Sequence, residues 1–416
     1  MTTLVQIHTP QPAAHHFRFS SAQGEHVFLV DGSQIYDIGD DFAFAPPRPP
    51  MFPMVVPSPP PLHSLSLHLG QSCNLHCGYC YADGGAFGGT GGSPMDETTA
   101  RKSVDLLLRE AESGTVPVLG FLGGEPLLHR GLLHSTVHYA AAEAARSGKS
   151  IRFSLTTNGT LLTEEDALLF SEYDWTVQIS VDGMAALHDR QRPAKNGGSS
   201  HAALLGALER MEKAGRPRAL TARSTIARGW GRLPEELDYL LSLGFDDAGF
   251  SPVLAADGDG FALTRDDLAR FLNEMTECGE RAVAHWREGR AYPFANLQTA
   301  LRQLHQGHHQ PYPCGAGAGY LSASTSGRLY ACHRFVNDAK RAMGSITSGP
   351  EDRRRRQFLE ERHVDQQQPC GGCWARYLCG GSCHHEALRA GRHACDYIRG
   401  WLAFCLRVYV EMETPA

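Results

Sequence analysis

LSLHLGQSCNLHCGYC, residues 65–80, decides how the rest of the chain is read. The apolar alternation of residues 65–69 has the two-residue period of a strand. It runs into Cys73, Cys77 and Cys80, spaced C-x3-C-x2-C. Three thiolates can hold three corners of a cubane [4Fe–4S] cluster, whereas an ordinary electron-transfer cluster takes four cysteines. The next cysteine is Cys278, so one iron would stay open to bind a small molecule. Open coordination separates catalysis from electron storage. The plainer alternatives are a zinc site or buried cysteines, but zinc usually takes four ligands, often in paired C-x2-C units.

Outward from this motif, strand-like and helix-like stretches alternate. Strand patterns cover residues 65–69, 118–122, 151–156, 176–181, 219–226 and 248–253. Helical patterns cover 97–112, 132–146, 164–171, 202–214 and 234–243, and Thr163 with Asp166 forms a capping pair for the third. Six β-then-α units predict an α/β fold with a parallel sheet. Right-handed crossovers would curl it into a partial (β/α)6, TIM-like barrel. Chemistry in such barrels sits at the C-terminal ends of the strands, where the cysteine motif falls.

The motif, with Tyr79 as the aromatic before the last cysteine, resembles the radical S-adenosylmethionine (SAM) superfamily. The resemblance implies that the open iron chelates the amino and carboxylate groups of SAM. It also implies that one electron cleaves SAM to methionine and a 5′-deoxyadenosyl radical, which abstracts hydrogen from a substrate. Gly123-Gly124-Glu125, ending the second strand, resembles the family's GGE motif at the SAM amino group. Glycines admit a close backbone approach, and a carboxylate pairs with an ammonium. Asn158 in TTNGT is a polar contact near the cofactor or a turn residue. Ser180 in ISVDG and Arg192 in HDRQRP resemble the residues that bind the ribose and carboxylate of SAM. Arginine suits that role because its planar fork donates two bonds. Leu254 would pack on adenine.

Downstream, Cys314, Gly327 and Cys332 give C-x12-G-x4-C, and Cys370, Cys373, Cys379 and Cys383 give C-x2-C-x5-C-x3-C before Cys395. This resembles the SPASM extension of radical SAM peptide maturases, which carries two auxiliary [4Fe–4S] clusters. The resemblance assigns Cys370, Cys373, Cys379 and Cys395 to one cluster and Cys314, Cys332 and Cys383 to the other, whose fourth ligand is not apparent. Two zinc knuckles would fit the same spacing, which cannot fix metal identity. Cys278 and Cys405 fall outside both patterns and are expected to be buried in helices.

The domain reading has five parts. Residues 1–41 form a β-rich unit with a hairpin at Asp31-Gly32. It resembles segments that bind a leader peptide by adding a strand to a sheet edge. Residues 42–62 are a proline-rich linker of extended geometry. Residues 63–260 are the core, 261–310 a helical bridge, and 311–416 the cysteine-rich SPASM domain. Residues 84–92, GGAFGGTGG, read as a mobile or solvated loop after the first motif. Arg353 to Arg356 read as a solvated helix face.

A net charge of −6 implies no general attraction to nucleic acid or membrane. No apolar run approaches the ~18 residues of a membrane span. No signal-peptide pattern opens the chain, so a reducing, cytoplasmic setting is expected, with thiolates kept for metal. The expected activity is maturation of a ribosomally made peptide by an oxidative thioether or carbon–carbon crosslink. The partners would be a precursor peptide or protein and a donor such as flavodoxin or ferredoxin. His333, directly after Cys332, is a candidate proton acceptor. The second reading is an anaerobic sulfatase-maturating enzyme that makes formylglycine. In that branch an aspartate follows the corresponding cysteine, whereas this chain has His333. A third reading, from another class, is a non-catalytic iron–sulfur or zinc scaffold, which predicts no reductive cleavage of SAM.

Overall fold

The computed structural model describes residues 14–39, 58–89, 92–255 and 260–413. Contacts divide the chain into two compact units. One comprises Met1–Pro57, Leu263–Cys314 and Glu360–Ala416; the other comprises Ser58–Ala262 and Gly315–Leu359.

The first unit begins with an antiparallel sheet of β1 (His16–Ser21), β2 (Gly24–Leu29) and β3 (Gln34–Ile38), in that order. The expected hairpin at Gly32 joins β2 to β3, and Gly32 takes a φ of 96°. The strand β1 escaped the sequence reading. Phe19, Phe28 and Val30 share a core with Val364, Cys370, Tyr377 and Leu406, so residues 14–39 are built into this unit. The proline-rich stretch lies mostly outside the described residues.

The second unit holds β4 (Ser64–His68), α1 (Glu97–Glu110), β5 (Val118–Leu122), α2 (Arg130–Arg146), β6 (Arg152–Thr157), α3 (Glu164–Glu172), β7 (Trp175–Ser180), α4 (Ala185–Gln191), α5 (Ser200–Ala214), β8 (Ala219–Ile226), α6 (Leu233–Ser242) and β9 (Asp247–Pro252). The expected strands and helices are present, with ends shifted by one or two residues. The strands β4 to β9 pair in parallel and in chain order. Thr163 and Asp166 form a full capping box at α3.

The two faces of this sheet differ. Phe121, Phe153 and Trp175 share one face and pack with Phe170 of α3, Trp175 lying 5.0–5.7 Å from each ring. In register on the opposite face are Ser66, Gly120, Ser154 and Thr176, and nearer the C-terminal ends Thr156, Gln178 and Thr221. A Cβ on Gly120 would stand 2.9 Å from Ser66 Oγ and 3.0 Å from Ser154 Oγ. Parallel strands covered by helices on both faces are apolar throughout. Here the alternation leaves a polar face opposite the aromatic one, as the inside–outside alternation of barrel strands allows.

After β9 come α7 (Arg265–Arg287) and α8 (Ala295–His305), which put Cys278 in a fully buried helical position. The chain then returns to the sheet, which the sequence did not disclose. β10 (Tyr320–Ala323) pairs in parallel with β4, and β11 (Arg328–Tyr330), β12 (Ala342–Ser345) and β13 (Gly349–Pro350) extend it antiparallel to ten strands. These strands are two to four residues long, too short for a period to show. Residues 311–416 are therefore shared between the two units. The helix α9 (Asp352–Arg362) carries the arginine run, but Arg355 is buried. Its guanidinium bonds the carbonyls of Pro60 and Ala318 at 2.5 and 2.6 Å, which corrects the solvated-face expectation at that position. Then follow α10 (Arg376–Cys379), α11 (His384–Arg389) and α12 (Cys395–Glu413), with Cys405 fully buried in the last.

Candidate active site and cysteine centres

Cys73, Cys77 and Cys80 lie on the loop after β4, at the C-terminal end of the parallel strands. The loop is seated by main-chain contacts from the end of β5. Glu125 N–H donates to Ser72 O at 2.9 Å and Gly124 N–H to Gly70 O at 3.4 Å. A Cβ on Gly124 would stand 2.1 Å from Ser72 O, and one on Gly123, whose φ is 144°, 2.6 Å from Gly70 O. The close approach these glycines permit is thus to the cysteine loop itself. The Glu125 carboxylate is buried and accepts from Leu127 N–H (3.0 Å), Thr157 Oγ1 (2.7 Å) and Asn158 N–H (2.8 Å). Burial pushes its pKa up and the three donors oppose that shift.

Asn158 faces the same loop. Its Nδ2 lies 2.9 Å from Asn74 Oδ1 and 3.8 Å from Cys73 Sγ. Thr160 holds its Oδ1 by both N–H (2.9 Å) and Oγ1 (2.7 Å). The amide is therefore aimed at a sulfur by a network that the sequence did not reveal.

Asp182 was the main residue missed. It stands in the same VDG turn as the expected Ser180, and strand-end acids are easily passed over as turn formers. It is fully buried and gathers Tyr79, Arg192 and Thr225. Tyr79 OH donates to its Oδ2. Arg192 Nε stands 2.9 Å from Oδ2 and Nη2 donates to Oδ1 at 3.0 Å. Thr225 N–H donates to Oδ1 at 2.9 Å. The Arg192 fork, expected to meet a carboxylate of SAM, thus meets this one, and its Cζ lies 5.4 Å from the Tyr79 ring centre. Ser180 ends β7 opposite Arg223 of β8. Leu254 is partly buried, while its neighbour Val253 packs with Tyr79, Ala227, Cys77 and Phe261. The Phe261 ring covers Gly78, where a Cβ would be 2.1 Å from it.

The described part of the glycine-rich stretch is anchored. Phe87 is buried edge-on to His68, 4.7 Å between ring centres. Asn337 Nδ2 donates to Ala86 O and Phe87 O, both at 3.4 Å. His68 is fully buried, neither ring nitrogen has a partner among the described residues, and burial lowers its pKa to about 3. His333 lies 3.0 Å by Nδ1 from Tyr320 OH and 6.0 Å, ring to ring, from Tyr81, the residue after Cys80. The step from Cys332 to His333 therefore comes beside the first cysteine loop.

In the other unit, Cys370, Cys373, Cys379 and Cys395 line one pocket together with Arg376, Arg392 and Arg399. Cys314 and Cys383 belong to this unit and are exposed, whereas Cys332 belongs to the other and is buried.

The four cysteines that line the pocket make a donor set of the kind that holds an iron–sulfur cluster. None of the twelve cysteines is in a disulfide. Among the described residues no three His, Cys, Asp or Glu side chains converge closely enough to hold a single ion. Burial raises the Cys77 thiol to about 12 and the Cys379 thiol to about 11, each set feeling its own members' charge. A bound cation would reverse that cost.

A three-cysteine loop at the C-terminal end of a parallel sheet, followed by a cysteine-rich region, defines an iron–sulfur enzyme built on a partial barrel. Residues 67–242 match the radical SAM superfamily. The chain is 26% identical over 364 residues to a serine-type anaerobic sulfatase-maturating enzyme of Klebsiella aerogenes, covering 81% of this chain and 83% of the relative. Among solved structures, anSMEcpe with bound AdoMet and the Cp18Cys peptide superposes with a TM-score of 0.71 at 20% identity, covering 85% of this chain and 99% of that one. Streptococcus suis SuiB bound to the precursor peptide SuiA gives 0.54 at 15%, covering 80% and 73%. At these identities the two structures show the fold alone. No helix among the described residues is long and apolar enough to cross a membrane.

Proposed function

We propose that this protein oxidises a side chain of a peptide or protein by two electrons. The observation that carries the reading is the pairing of two cysteine constellations in one chain: an incomplete set of three at the strand ends, and a complete set of four around a cavity. When bound, SAM and the three-thiolate cluster supply the radical that removes a hydrogen atom, and the four-thiolate cluster offers a place for an electron. The substrate loses one hydrogen atom, then a proton and an electron, for a net loss of two hydrogens. The electron that initiates SAM cleavage comes from a low-potential donor such as flavodoxin or ferredoxin.

The residues divide this work. Cys73, Cys77 and Cys80 hold the core cluster, with Asn158 donating toward Cys73. Gly123, Gly124 and Glu125 fix the loop, and Glu125 offers its charge to the SAM ammonium. Tyr79, Ser180, Arg192 and Leu254 surround the remaining parts of SAM, with Arg192 oriented by Asp182. Cys314, Cys332 and Cys383 are further candidate cluster ligands. His333, braced by Tyr320, takes the substrate proton.

Two products fit. The sulfatase-maturating relative favours serine or cysteine going to formylglycine. The described N-terminal sheet favours a precursor peptide and a crosslink, because β3 has no strand partner on its outer side among the described residues and can accept a leader strand. The test is anaerobic incubation with SAM, a reductant and candidate peptides. Formation of 5′-deoxyadenosine with a peptide lighter by two hydrogens supports the oxidation. Serine-derived formylglycine and a crosslink have equal mass, so hydrazide labelling separates them, because only the aldehyde reacts. No 5′-deoxyadenosine in the presence of any peptide would return the chain to the scaffold reading.

A further inference from the structure

The charge around the four-cysteine cavity is not explained by ligation. Arg376, Arg392 and Arg399 line it, and its lining contains no carboxylate. Their own partners differ. Arg376 is neutralised from outside by Asp31 at 3.0 Å and Asp365 at 3.5 Å. Arg392 spends its donors on two neutral acceptors, Gly381 O and Gln367 Oε1, and so keeps its full charge beside the site. Arg399 pairs with Asp396 at 2.5 Å, but Asp396 is shared with Arg265 at 3.0 Å. Arg399 and Cys373 line the same cavity. Arg399 follows Cys395 by four residues on α12, which brings both to the same helix face. The 19-residue helix α12 starts at Cys395, so its positive end adds to the field. At the three-cysteine loop, by contrast, the guanidinium of Arg192 is matched by buried Asp182.

We propose that Arg399, supported by Arg392, raises the reduction potential of the cluster held by Cys370, Cys373, Cys379 and Cys395 and so makes that site the electron sink of the reaction. A thiolate-ligated cluster gains negative charge on reduction. Guanidinium charge beside the ligand sulfurs stabilises the reduced state more than the oxidised one. The electron released when a substrate radical loses its proton would be taken up there, reducing the cluster by one electron. This assignment rests on the oxidative reading above, but the potential can be measured without any peptide.

The experiment is an EPR-monitored redox titration of the reconstituted full chain. The Cys73→Ala/Cys77→Ala/Cys80→Ala background removes the core signal. Arg399→Met should shift the midpoint to more negative potential, Arg399→Lys by less, and Arg392→Gln in the same direction. Iron content is read in parallel, so that loss of the cluster is distinguished from a shift. If Arg399→Met loses iron, Arg399→Lys and Arg392→Gln carry the test. Wild-type midpoints in the iron-loaded variants would overturn the proposal, whether or not a peptide product has been found.

Discussion

Asp182 and Arg192 form a buried ion pair that neither partner can leave cheaply. Asp182→Asn keeps the shape and strands the guanidinium, at a cost of about 3–5 kcal/mol. Chemical denaturation under argon should show that loss, together with weaker SAM binding, because the Arg192 fork would lose its orientation. A stability within ~1 kcal/mol of wild type would mean that the pair is solvated. His68 gives a pH signature. Its folded pKa of about 3 lies below the unfolded value of 6.5, so below pH 6.5 the unfolded chain takes up a proton that the folded chain refuses. Stability should therefore fall as pH drops from 6.5 toward 3, with His68 contributing about 1.4 kcal/mol per unit. His68→Leu should flatten the slope by that amount; an unchanged slope would contradict the neutral, buried imidazole. The cysteines, Tyr79 and the GGE motif stand out in the sequence because their spacing is local. The partners that aim them do not, because Asp182, Thr157 and Asn74 meet their targets across different strands.

At the scale of elements, Gly124 ties β5 to the cysteine loop. Gly124→Ala would drive a methyl into Ser72 O, which is main chain and cannot rotate away. The expected result is loss of about four irons per chain and of SAM cleavage, with the remaining clusters kept. Full iron would show that the loop can shift. Phe17 of β1 stacks on Trp374 at 3.9 Å, and Arg376 donates to Ala14 O at 2.9 Å, so the N-terminal sheet braces the Cys370–Cys379 segment. Phe17→Ala should remove about 2 kcal/mol and speed iron loss to a chelator from that cavity. Deleting residues 1–41 would damage this core, so leader binding is better tested with the exposed Tyr36→Ala. The six parallel strands were legible from alternation. The short strands β10 to β13 were not, because pairing with β4 across some 250 residues leaves no local pattern.

At the scale of the molecule, residues 311–416, expected as one cysteine-rich domain, divide between the two units by contacts. The segment Gly315–Leu359 joins the sheet-bearing unit, and Glu360–Ala416 joins the unit with the N-terminal sheet. Cysteine spacing records ligand sets and not which body each ligand belongs to. The measurement that most directly tests the account is iron and sulfide per chain after anaerobic reconstitution, in wild type and in the Cys73→Ala/Cys77→Ala/Cys80→Ala variant. Three cubanes predict about twelve irons falling to about eight. About four irons in wild type, with zinc in their place, would contradict the account by removing the electron sink that two-electron oxidation needs.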